Sequence, residues 1–90
     1  MELRILKFGA TWCQPCKVLD PILEQVKTDR PDLKFESYDS ELDVALFSEY
    51  RISSVPTVII LKDDVECERF VGVLPKPKII SIIDKCLQNG

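Results

Sequence analysis

Ninety residues suffice for one compact domain, expected over residues 1–90, and are too few for two. A composition of 46% apolar and 30% charged residues is that of a globular chain, and no stretch approaches the roughly 18 apolar residues of a membrane span. The formal charge of −3, without any Lys/Arg run, argues against nucleic acid or acidic lipid as a main partner. The absence of histidine excludes Ser-His and Cys-His nucleophile pairs and any Cys/His zinc site. The first eight residues lack the long apolar core of a secretory signal, so a cytoplasmic location is expected.

Residues 3–8 are β-rich with apolar side chains on both faces, as in a central parallel strand. From Lys17 the period becomes helical, with Leu19, Ile22, Leu23 and Val26 in one stripe. Pro15 falls near the first helical turn, where its missing N–H costs nothing, and Pro21 falls inside the helix and should kink it. A turn over residues 28–32 leads to a second strand at 33–38. Ser40 and Asp43 have the spacing of a helix cap, which predicts a helix over about 41–50 burying Leu42, Ala45 and Leu46. Residues 57–61 read as a strand buried on both faces. Lys62-Asp63-Asp64 turns the chain into residues 65–71, an antiparallel edge partner that Gly72 ends. Pro75 and Pro77 introduce a last helix carrying Ile79, Ile80, Ile83 and Leu87. The expected fold is α/β, ordered β-α-β-α-β-β-α, with four strands in a mixed sheet and three helices. The first two strands, joined by a long crossover, should be parallel.

Of the four cysteines, Cys13 and Cys16 form a CxxC between a strand and a helix N-terminus. Unpaired N–H groups and the positive end of the helix dipole favour thiolate at Cys13, and only a thiolate attacks a disulfide. Cys16, one turn later, is placed to attack a mixed disulfide formed at Cys13. With neither a second CxxC nor a histidine, the rival reading as half a metal site is weak, and no metal is expected.

The segment Trp12-Cys13-Gln14-Pro15-Cys16-Lys17 resembles the WCGPCK motif of the thioredoxin family, with Gln14 in place of Gly. Pro21 resembles the proline of that family's active-site helix, Val55-Pro56-Thr57 its cis-proline loop, and Phe70-Val71-Gly72 its later glycine turn. The order and separations of these landmarks agree over nearly the whole chain. The family's usual first strand and helix are missing, and Lys7 stands five residues before the Trp, where the family usually carries a buried Asp.

The resemblance implies a thiol–disulfide oxidoreductase, a protein-disulfide reductase with Cys13 and Cys16 catalytic. Trp12, Gln14, Pro15, Val55, Pro56 and Gly72 would contact substrate, with Val55–Pro56 cis and the Val55 backbone pairing with an extended substrate segment. No cofactor would bind; the Cys13–Cys16 disulfide would be recharged indirectly by NADPH through a thioredoxin reductase. Disulfide-containing proteins would be its partners, and the chain would act as a monomer. Two rivals stand beside this reading: a glutaredoxin-like enzyme recharged by glutathione, which the short length favours, and a thioredoxin-fold binding module, which the intact Cys pair disfavours.

Three residues stay open. Lys7 is a snorkelling strand lysine, a cation facing the Cys pair and modulating its pKa, or the ion-pair partner of Glu36. Cys86 follows Ile79 and Ile83 on the apolar side of the last helix and reads as core. Cys67, between Glu66 and Glu68, reads as structural or inert.

Overall fold

Runs that are apolar on both faces can be satisfied only at the centre of a sheet covered on both sides. In the computed structural model, which describes residues 2–88, that is where they lie. Met1, Asn89 and Gly90, included in the expected 1–90 domain, lie outside the described residues. The described elements are β1 (Leu3–Gly9), α1 (Gln14–Asp29), β2 (Lys34–Asp39), α2 (Val44–Glu49), β3 (Thr57–Lys62), β4 (Val65–Val71) and α3 (Lys76–Gln88). They build one sheet in the order β2-β1-β3-β4, with β1 parallel to β2 and antiparallel to β3, and β3 antiparallel to β4. The expected element order and mixed sheet are thus present.

Alternation along the two central strands divides the core. Leu3, Ile5, Val58 and Ile60 pack with Leu19, Leu23 and Val26 of α1 and Ile79, Ile83 and Cys86 of α3. Leu6, Phe8, Ile59 and Leu61 point the other way, toward Leu46 and Phe47 of α2 and the Tyr50 that follows it. Phe8 is fully buried, its ring 5.1 Å from Phe47, 5.6 Å from Tyr50 and 5.4 Å from Tyr38. The β3–β4 hairpin closes through Asp63 and Asp64, both at positive φ (51° and 69°), the two-residue turn whose twist matches that of the strands.

Helix α1 runs from Gln14 to Asp29, with Pro15 in its first turn as expected and Pro21 inside it. One local expectation is corrected. Helix α2 is only six residues long, starts at Val44, and has no side-chain cap. The Asp43 carboxylate of the expected cap instead serves the preceding turn, together with Asp39. Asp43 Oδ2 accepts from the Asp39 N–H, and Asp39 Oδ1 from the Glu41 N–H, each at 2.8 Å. Leu42 and Ala45 are exposed, and the partly buried contacts here come from Leu46 and Phe47 of α2 and from Tyr50, its C-cap.

Candidate active site

The strand register gathers four chain segments at one end of the sheet. Phe8 lies opposite Thr57, Gly9 opposite Asp39, and Thr57 opposite Val71. The loop after β1, the turn after β2, the Val55–Pro56 segment before β3 and the Gly72 turn after β4 therefore share this end. Open α/β sheets bind ligands outside the carboxyl ends of their strands, and three of these four segments follow such ends.

Cys13 is the N-cap residue of α1, and its Sγ accepts the Cys16 N–H at 3.1 Å. That sulfur sits among the unpaired N–H groups and the positive dipole end of a 16-residue helix, an environment that favours its thiolate once reduced. No acidic side chain occupies the first turn to oppose this. Cys13 and Cys16 are disulfide-bonded, with Cα atoms 5.3 Å apart, and both residues are buried. Trp12 stands out beside them, 68% exposed, while Gln14 and Pro15 are also on the surface.

The Val55–Pro56 peptide bond is cis. Pro56 is buried, and its carbonyl accepts the Gly72 N–H at 2.9 Å, tying the two loops together. Gly72 has φ +90°, a conformation that a side chain would strain although space for one is open. Trp12 and Val55 line one shallow groove, with Ser40, Phe47, Ile52 and Ser53.

Lys7 points toward α1. Its Nζ is 2.8 Å from Asp20 Oδ1, and its side chain is only 16% exposed. A Cβ on Gly9 would lie 3.4 Å from both Lys7 Nζ and Cys16 Sγ, so the ammonium and the sulfur are within twice that distance of each other. Lys7, Gly9, Cys16 and Asp20 line a common cleft with Tyr38 and Leu42. The alternative pairing with Glu36 is corrected, because Arg4 holds that carboxylate through two hydrogen bonds of 2.7 and 3.1 Å and Tyr38 O–H donates to it as well. Bonding to Arg4, and secondarily to Tyr38, keeps the Glu36 carboxyl down at about 2.

Some features of this end are not evident from residue pattern. Asp20 lies opposite the apolar stripe of α1 and reads as a solvated charge, yet it anchors the lysine beside Cys16. Leu42, after β2, and Val71 and Val73, at and beyond the end of β4, are exposed apolar residues, Leu42 at 84%. A further difference is away from this end. Cys67 and Cys86 are not separate residues but a disulfide between β4 and α3.

The thioredoxin family model matches residues 1–85. The thioredoxin of Mycoplasmoides gallisepticum is 37% identical over 79 residues, 88% of this chain and 79% of that protein. The thioredoxin of Chlamydia trachomatis is 37% identical over 83 residues, 92% of this chain and 81% of that one. Among solved structures, Fasciola hepatica thioredoxin superposes with a TM-score of 0.87 at 27% identity, covering 93% of this chain and 80% of its own. Thioredoxin NaTrxh of Nicotiana alata gives the same TM-score at 31% identity, over 93% of this chain and 72% of that one. The chain belongs to the thioredoxin family and is a thiol–disulfide oxidoreductase whose redox-active pair is Cys13–Cys16.

Proposed function

We propose that this oxidoreductase is a general protein-disulfide reductase of the cytoplasm, acting as a monomer and recharged by a thioredoxin reductase that draws on NADPH. The observation that carries the assignment of roles is Cys13 at the N-cap of α1, with the Cys16 N–H on its sulfur. The Cys13 thiolate attacks a substrate disulfide, forming a mixed disulfide and expelling one substrate thiolate. The Cys16 thiolate attacks Cys13 Sγ and expels the second. The substrate has gained two electrons, and the chain leaves with Cys13–Cys16 bonded. Trp12, Gln14, Pro15, Val55, Pro56 and Gly72 form the contact surface, the Val55 backbone pairing with an extended segment of substrate. The exposed Trp12 ring beside Cys13 suits the exposed apolar segments around disulfides in unfolded proteins.

Turnover of an insulin disulfide should be at least about tenfold faster with NADPH and thioredoxin reductase than with NADPH, glutathione reductase and glutathione. Equal or reversed rates would favour the glutaredoxin-like reading.

Lys7 is the positioned cation of this site. A cation near the thiols stabilises thiolate and hence the reduced protein, which raises the reduction potential. Lys7→Met keeps most of the stem and removes the charge. It should lower the potential and move the pH profile of thiol alkylation upward, by on the order of one pH unit or less for a charge partly exposed to solvent. Unchanged potential and profile in a folded variant would reduce Lys7 to a partner for Asp20.

A further inference from the structure

The cysteine pair remote from the active site has no part in the chemistry above. Cys67 lies on β4, the edge strand of the sheet. The β3–β4 register shifts at that point: Ile60 opposes Glu68 and Leu61 opposes Glu66, leaving Cys67 without a partner across the ladder. A residue left over at a bulge is freed from the strand's alternation, and its side chain can be re-aimed. Cys67 packs against the core shared by α1 and α3, where it meets Cys86 in the last turns of α3. The two Cα atoms are 6.0 Å apart, within the range a disulfide spans, and the sulfurs are bonded. Cys86 is 1% exposed, and Cys67 is half-buried.

We propose that Cys67 and Cys86 form a second redox couple, a reversible disulfide that locks the C-terminal end of α3 to β4 and exchanges more slowly than Cys13–Cys16. This stands on the second pair alone and is independent of the reductase assignment.

The difference in exposure sets the order of events. An external thiolate reaches Cys67 Sγ first and expels Cys86 as thiolate. A second external thiolate then attacks the reagent's sulfur in that mixed disulfide and expels Cys67 as thiolate, leaving both cysteines as thiols once protonated and the reagent as its own disulfide. Oxidation is the reverse. The Cys67 thiolate attacks an aliphatic disulfide and expels one thiolate; Cys86 then attacks Cys67 Sγ and expels the other. Two electrons and two protons pass in either direction. Approach to Cys67 is slow because Glu66 and Glu68 flank it and repel an incoming anion. Arg69 holds the Glu66 carboxylate ionised through bonds of 2.7 and 2.8 Å and offsets part of that charge. Cys13 has no such acidic flank and lies at a helix N-terminus. The closed bond joins residues 19 apart in sequence across the edge of the sheet, so opening it releases the end of α3 and lowers stability.

The test is timed thiol mapping on the full-length, fully oxidised chain. Limiting dithiothreitol is added, aliquots are alkylated at intervals, and the labelled cysteines are located by mass spectrometry. Label should appear on Cys13 and Cys16 at least about tenfold sooner than on Cys67 and Cys86. Once the second pair opens, the melting temperature should fall by at least about 10 °C, and re-oxidation with glutathione disulfide should restore it. Cys67→Ala should have the lowered melting temperature from the start, unresponsive to reductant at the second site, with insulin reduction within about twofold of the parent. Free thiols at Cys67 and Cys86 in the oxidised chain would overturn the proposal. So would opening of both pairs at one rate, or a melting temperature indifferent to the second pair.

Discussion

Cys13→Ser is expected to lower insulin disulfide reduction by at least about a thousandfold, because a hydroxyl at neutral pH is far too weak a nucleophile to replace a thiolate. The remaining thiol of the pair, Cys16, lies inside the first turn of α1, not at the N-cap position that favours thiolate at Cys13, and lines the cleft shared with Lys7 and Asp20. Cys16→Ser should lose sustained turnover almost as completely, but by another route. Its Cys13 still attacks, so one equivalent of substrate is consumed rapidly before the reaction stops. A stopped-assay time course separates the two: no early phase for Cys13→Ser, and a stoichiometric burst for Cys16→Ser. Full activity in either variant would place the chemistry elsewhere.

Phe8→Ala should be the most damaging substitution outside the cysteines. Truncating a fully buried Phe typically costs about 3–5 kcal/mol, a large share of the roughly 5–15 kcal/mol that holds a small domain folded. The upper part of that range is expected because Phe8 joins β1 to three rings, those of Tyr38, Phe47 and Tyr50. Helix α2 has six residues and no side-chain cap, so it has little stability of its own and depends on this packing. Urea unfolding should show the midpoint fall by more than half, with Phe8→Leu intermediate. Because α2 leads into residues 51–56, substrate turnover should also drop in the fraction that remains folded. A loss below about 1 kcal/mol would mean that α2 is held by contacts other than Phe8.

The central strands were legible in the sequence because residues 3–8 and 57–61 are apolar on both faces, and few environments other than a covered sheet satisfy such a run. The CxxC was legible because its chemistry depends on local position at a strand–helix junction. Features set by pairing across the fold were not. Ser40 and Asp43 have capping spacing, but Asp43 accepts from the Asp39 backbone, a choice made by the turn and invisible in spacing. The direction of Cys67 depends on a one-residue register shift against β3, and strict alternation along 65–71 gives no hint of it. Lys7 could not be assigned from sequence because its partner, Asp20, lies 13 residues away on the helix face that looks solvated.

The most direct test of the Cys13–Cys16 mechanism is to identify what the Cys16→Ser chain holds after exposure to a disulfide-containing protein. A stable mixed disulfide should accumulate, and peptide mass spectrometry should place its bond on Cys13, with Cys67 and Cys86 still bonded to each other. Release by dithiothreitol should return intact substrate and free Cys13. A trapped partner found on Cys67 or Cys86, or no trapped species at all while Cys13→Ser remains active, would contradict Cys13 as the attacking thiol.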